Sequence, residues 1–224
     1  RRIRNTFRFI LGNINDFSEG KRINSDDLIE LDKWILNTLY DLEKKVLRHY
    51  ETYSYHKAVQ VIHNFCVNEL GGIYLDITKD RLYTCKKDSQ ARRSCQTALD
   101  EILNILVRLI APILSYTAEE IWQSAPNLKC QNKSIFLTEF TNQKSAIISE
   151  ISDSDWKRIF SIKEEVNQKI ENLRNENKLK GSLDAIVKIR ANEDDKKILD
   201  KLEEELHFLL ISSDAHTELS NDIL

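Results

Sequence analysis

The stretch from Tyr74 to Thr97 reads YLDITKDRLYTCKKDSQARRSCQT, and the organisation of the chain follows from it. It opens apolar and aromatic, turns strongly basic, then runs into a long amphipathic helix. Between Lys79 and Arg93 stand six cations (Lys79, Arg81, Lys86, Lys87, Arg92 and Arg93) against two anions, Asp80 and Asp88. The chain as a whole has a formal net charge of −3. A cationic island on a slightly acidic protein is expected to meet a polyanion.

Helices are expected on both sides of this basic connection. Before it, about Ser54 to Leu70 places Ala58, Val59, Ile62, Phe65, Cys66 and Leu70 at helical spacing, with Gly71-Gly72 as the stop. After it, about Ser89 to Leu109 places Ala98, Leu99, Ile102, Leu103, Leu106 and Leu109 on one stripe, and Pro112 breaks the helix. Further towards the N-terminus, Leu28 to His49 carries Leu28, Leu31, Ile35, Leu39, Leu42 and Val46, with Trp34 widening the stripe and Asp26 or Asp27 as cap. Residues 1–14 carry Ile3, Phe7, Ile10, Leu11 and Ile14, and residues 16–25 form a polar loop. A short helix ending near Trp122 is expected to start from a Thr117/Glu120 capping box.

Beyond about residue 130 the pattern changes. Ser134–Phe140 and His207–Ser212 read as strands, as does the alternating LDAIVKIR at 183–190. Helices are expected over about 155–177 and 194–206, and the segment after Ser213 as a disordered tail. The expected fold is mainly α: a helical bundle over 1–126, a small α/β subdomain over 127–216, and a flexible tail over 217–224.

Composition supports this class. The chain has 224 residues, 41% hydrophobic and 31% charged, with only 5 Gly and 2 Pro. That leaves ample core and favours long helices over a turn-rich β fold. No apolar run approaches the ~18 residues that span a bilayer, so no membrane partner is expected. The chain contains no methionine and opens on Arg1-Arg2-Ile3-Arg4 already in helical register, so it is expected to be a piece of a longer protein. Its 4 cysteines lack CxxC spacing, which disfavours a local zinc site and fits reduced thiols in the cytoplasm. His49, His56 and His63 are seven apart, but two helical turns separate His56 and His63 by ~10 Å, too far to share one ion. No phosphate loop, GxSxG or HExxH is present, and the carboxylate pairs lie on charged faces. Neither a catalytic residue nor a metal ligand is expected, which leaves a binding surface.

Arg1, Arg2, Arg4, Arg8, Lys21 and Arg22 make the N-terminal segment basic against Asp16 and Glu19, whereas residues 193–222 are acidic. Such segregation suits a bundle that contacts phosphates. Arg4 and Arg8 repeat at one-turn spacing beside Asn5, whose amide can read a base edge. Arginine also stacks on unpaired bases. A helical protein-interaction module is the alternative that amphipathic helices alone leave open.

Several segments resemble isoleucyl-tRNA synthetases in order and spacing: RRIRNTFRFILGNINDF (1–17), LDKW (31–34), GGIYLDITKDRLYT (71–84), ARRSCQTAL (91–99), APILSYTAEEIW (111–122), KGSLDA (180–185) and ELHFLLISSDA (205–215). Similar bundles occur in the valyl, leucyl and methionyl enzymes; YLDITKDRLYT followed by ARRSCQT favours the isoleucyl one. The resemblance implies an anticodon-binding bundle, a junction subdomain, and isoleucine tRNA and the rest of the synthetase polypeptide as partners. It implies that Arg4 and Arg8 face the anticodon loop, with Asn5 as neighbour. The backbone contacts would come from Arg1, Arg2, Lys21, Arg22, Lys79, Arg81, Lys86, Lys87, Arg92 and Arg93, with the loop 16–25 and the connection 79–93 at the same end of the bundle. Trp34 and Trp122 are expected as core anchors. ATP-Mg and zinc would belong to other parts of the parent enzyme, which carry the HIGH and KMSKS signatures, and no cofactor is expected here.

Overall fold

A computed structural model describes residues 1–129, 132–141, 144–179, 181–203 and 205–219. The chain divides into two compact units, Arg1–Ile148 and Ser149–Leu224. Residues 127–148 therefore belong with the first unit, beyond the boundary expected at 126.

The first unit is a helical bundle of α1 (Arg2–Asn13), α2 (Glu30–Glu51), α3 (Tyr55–Phe65), α4 (Leu75–Thr84), α5 (Gln90–Ile110), α6 (Ser115–Ser124) and the single turn α7 (Pro126–Lys129). Its axis is α5, 21 residues and so about 31 Å long. This helix packs against α1, α2, α4 and α6. Nearly every residue from Arg93 to Ile110 is buried, the polar ones included. The sequence pattern marks only an apolar stripe on this helix. Burial on all sides is possible because most of the buried polar atoms face a partner. Thr97 Oγ1 accepts from the Ile23 amide at 3.1 Å, and Ser94 Oγ accepts from the Ile29 amide at 3.0 Å.

Four local expectations are overturned in this unit. Gly71-Gly72 does not end a helix. The chain continues through a π-helical segment, Cys66–Tyr74, into α4, so with the start of α5 most of the supposed connection 79–93 is helical. A Cβ on Gly71 would lie 2.7 Å from the Cys66 carbonyl oxygen, which is why glycine stands there. The Thr117/Glu120 capping box does not form, because α6 already starts at Ser115. Neither Asp26 nor Asp27 caps α2, whose N-cap is Ile29. Ser134–Phe140 is not a strand: it has no partner strand among the described residues and turns at Ile135–Leu137. The Glu119 carboxylate fixes that turn, accepting from the Ser134 hydroxyl at 2.9 Å and the Ile135 amide at 3.1 Å. Trp122 is fully buried and donates to the Asn132 carbonyl, whereas Trp34 is only half-buried.

The second unit consists of α8 (Asp153–Asn175), β1 (Ile186–Ala191), α9 (Glu193–Asp200), α10 (Glu205–Leu210) and β2 (Asp214–Leu219). The strands pair in parallel, from Ile186 opposite Asp214 to Ala191 opposite Leu219. Arg158 grips Asp195 with two nitrogens at 2.8 and 2.7 Å, fastening α8 to α9. Buried Lys163 donates to the Leu209 carbonyl at 2.6 Å, fastening α8 to α10. HFLLIS, expected as a strand, lies mostly in α10, where Leu206, Leu209 and Leu210 share one buried face at helical spacing. A short apolar run is ambiguous between the two periods, and packing against α8 decides it. The segment after Ser213 is no tail as far as Leu219: it forms β2. Residues 220–224 and Cys130 lie outside the described residues.

Candidate nucleic-acid interface

Helix α1 buries Phe7 and Ile10 completely and turns Arg1, Arg2, Arg4, Asn5 and Arg8 outward. The four-residue spacing of Arg4 and Arg8 sets them one above the other. Arg4 Nη2 lies 2.6 Å from both carboxylate oxygens of Glu120 on α6. Both side chains are more than half exposed. An exposed pair of this kind contributes about 0–1 kcal/mol, so a phosphate can compete for Arg4. Arg8 and Asn5 have no side-chain hydrogen bond or ion pair among the described residues, and α1 thus presents an unengaged guanidinium beside an unengaged amide.

The basic residues elsewhere divide sharply. Arg81 is 1% exposed and lies against Asp32, at 2.6 and 2.8 Å from its two carboxylate oxygens. The same carboxylate accepts from the Tyr74 hydroxyl at 2.6 Å and the Ser94 hydroxyl at 2.5 Å. Burial, then the Asp32 charge, raise the Tyr74 phenol well above its ordinary range, so it remains a donor. Arg92 donates to Asp16 at 2.8 and 3.1 Å and to the Leu82 and Lys87 carbonyls. Arg93 is buried between Asp88, at 2.6 Å, and Gln96, at 2.5 Å. The Arg92 hydrogen bond holds the Asp16 carboxyl far below the usual carboxylate range, against the opposing effect of burial. Arg22 pairs with Asp100, Glu19 and Glu101.

Arg81 and Arg93 are therefore closed to a phosphate, and Arg22 and Arg92 are occupied in holding loops to α5. This corrects the reading of 79–93 as a free cationic island. Its anions include Asp16 and Asp32, remote in sequence and invisible to a local charge count. Lys79, Lys86 and Lys87 remain exposed, Lys79 beside Asp76 at 2.9 Å. Lys21 is exposed as well and donates to the Asp16 carbonyl.

The loop 16–25 and the connection 79–93 do meet at one end of the bundle, where Arg92 donates to Asp16, but Arg4 does not join them there. Gln96, near the start of α5, donates to the Asn13 carbonyl at the end of α1, whereas Arg4 reaches α6, which follows α5. Arg4 and the loop 16–25 thus lie at opposite ends of α1, a helix of 12 residues and so about 18 Å. Arg8 lies between them.

Among the described residues no group of three or more His, Cys, Asp or Glu is placed to hold a metal ion. Burial pushes the Cys66 thiol up to about 12 and Cys95 to about 11, which leaves both unreactive at neutral pH. No helix among the described residues is long and apolar enough to cross a membrane.

A buried bundle axis and an exposed basic helix suit a helical module that meets a polyanion. The chain belongs to the family of anticodon-binding domains of tRNA ligases, whose model matches residues 32–189. Within that class it is similar to isoleucine–tRNA ligases. It is 41% identical over 218 residues to that of Haemophilus ducreyi, 43% over 216 to that of Shewanella pealeana, and 44% over 217 to that of Coxiella burnetii. These alignments cover 95–96% of this chain but 23% of each relative, so the chain spans under a quarter of their length.

Proposed function

We propose that this chain supplies tRNA recognition to an isoleucine–tRNA ligase, gripping the anticodon stem-loop of isoleucine tRNA while other parts of that polypeptide carry out ATP-dependent aminoacylation. ATP-Mg and zinc would be held by those other parts, and residues 149–219 would form the junction towards them. The observation that carries the reading is the outward face of α1, where Arg8 and Asn5 stand unengaged beside the weakly held Arg4. Splayed bases would stack on the guanidinium planes and meet the Asn5 amide. Arg1, Arg2, Lys21, Lys79, Lys86 and Lys87 would approach phosphates. Cytoplasmic action follows from this role.

The test is binding of the chain to the isoleucine anticodon stem-loop across a salt series, with a scrambled loop as control. Binding should weaken steeply with salt and favour the cognate loop. Arg8→Ala should cost about 1–3 kcal/mol and relax that preference, as expected of a base-reading arginine. Equal affinity of wild type and Arg8→Ala for both loops would refute the assignment of α1.

A further inference from the structure

The second unit contains an incomplete sheet. Among the described residues β1 pairs only with β2, and two parallel strands are fewer than a stable sheet of this type has. Beside β1 lies an open groove of about 810 Å³. One wall is a stripe on α8, Ile162, Val166, Ile170 and Leu173, at helical spacing; the other is β1 with Val187 and Ile189. Ile186 and Leu173, both bordering the groove, are 66% and 38% exposed. The apolar stripe of α8 is thus left partly uncovered next to an unpaired strand edge.

The rim is basic. Lys188 is 3.6 Å from Glu218, but Lys169 and Arg190 have no ion-pair partner among the described residues. A second copy of the chain is a poor occupant, because β1 against β1 would bring Lys188 and Arg190 of both copies together, and like charges across a strand pair are destabilising. An RNA backbone gains nothing from the leucine and isoleucine walls. An extended polypeptide satisfies both features: its backbone completes the β1 edge, and its alternate side chains reach α8.

We propose that the groove receives a third β-strand from the longer ligase polypeptide, outside the region this chain spans, with apolar residues facing α8 and acidic residues facing Lys169 and Arg190. The proposal rests on the reading of the chain as part of a longer ligase, in keeping with relatives of which it covers 23%. The added strand joins the second unit to the rest of the enzyme through backbone hydrogen bonds.

Hydrogen exchange of β1 is compared in the 224-residue chain and in the full-length ligase, with aminoacylation measured on the latter. The β1 amides that β2 leaves free should exchange about 100-fold more slowly in the full-length enzyme only, as a buried ladder requires. Lys169→Glu with Arg190→Glu, both surface changes, should reduce that protection about tenfold. Equal exchange in both proteins, with aminoacylation intact, overturns the inference and leaves the functional reading standing; the rim charges then serve only to keep the edge from aggregating. Concentration-dependent protection in the short chain, with dimers in sedimentation, overturns it in favour of a second copy. Unchanged protection in the charge-reversed enzyme overturns the acidic character of the strand. A full-length protein that fails to charge tRNA overturns the functional reading instead.

Discussion

Asp32→Asn isolates the charge that holds the bundle centre together. Asp32 is fully buried and takes two contacts from Arg81, one from Tyr74 and one from Ser94. Asparagine preserves the shape, its carbonyl can still accept from Tyr74 and Arg81, and its amide can donate to Ser94. What disappears is the negative charge opposite a guanidinium that is 1% exposed. The Arg81 Nε already has no hydrogen-bond partner. Breaking a buried pair from one side costs about 3–5 kcal/mol, against a total stability of about 5–15 kcal/mol for a domain. The urea midpoint should fall by about 1–5 M, from a slope of about 1–3 kcal/mol per M. Circular dichroism reads the midpoint, and hydrogen exchange on α4 localises the loss. Asp32→Leu with Arg81→Met, which removes both charges, should recover most of the stability. A midpoint shift below about 0.3 M for Asp32→Asn, equivalent to under about 1 kcal/mol, would refute the argument that Arg81 depends on Asp32.

Other substitutions test the remaining elements. Gly71→Ala should cost about 1–3 kcal/mol by overpacking the π-helical segment against the Cys66 carbonyl, read as a lowered thermal midpoint. Asp16→Asn should cost about 1–3 kcal/mol at neutral pH, since it weakens charge-assisted bonds to Arg92. The folded pKa of Asp16 lies below its unfolded value, so its contribution is complete above the ordinary carboxylate range and fades as pH falls through the folded value. The gap between wild type and Asp16→Asn should therefore close in acid. Glu43 behaves oppositely. Burial, and repulsion from Glu101, raise its pKa against the Thr141 hydrogen bond, so its ionised form destabilises the fold at neutral pH. Glu43→Gln should be more stable than wild type at pH 7, and this gain should shrink as pH falls through the raised folded value towards the ordinary one; pH-resolved thermal melts check both signs.

Periodicity alone locates α1, α2, α5 and α8, because long amphipathic stripes leave little ambiguity. The failures have physical causes. Gly71 and Gly72 signal a stop because glycine disfavours helices; here the π-helical backbone is too tight for any other residue at position 71, and tertiary packing carries the helix through. DAHTEL shows no apolar alternation, since β2 takes its place from pairing with β1. Asp32 could have been found: it stands in the stripe between Leu31 and Ile35, and a carboxylate on a buried face demands a cation. The cation itself, Arg81, lies 49 positions away, and no local reading connects them.

Arginines and lysines of this basic sequence take different places in the structure. A buried cation must satisfy several donors at once, and the planar guanidinium presents them in a fixed fork that matches a carboxylate. Hence Arg81, Arg92 and Arg93 turn inward, each meeting fixed acceptors, while Lys79, Lys86 and Lys87 remain outside as hydrated point charges. On α1 the core is apolar and makes no demand on the arginines, so among the described residues the Arg8 donor fork meets no protein acceptor. A lysine contacts a phosphate without regard to sequence, whereas an arginine beside an asparagine can discriminate between bases. Neutralising the three lysines should therefore flatten the salt dependence and leave the preference for the cognate loop intact. The change at Arg8 should reduce that preference itself. Opposite assignments, with lysines setting preference and Arg8 only the salt slope, would place the reading surface on the 79–88 segment and not on α1.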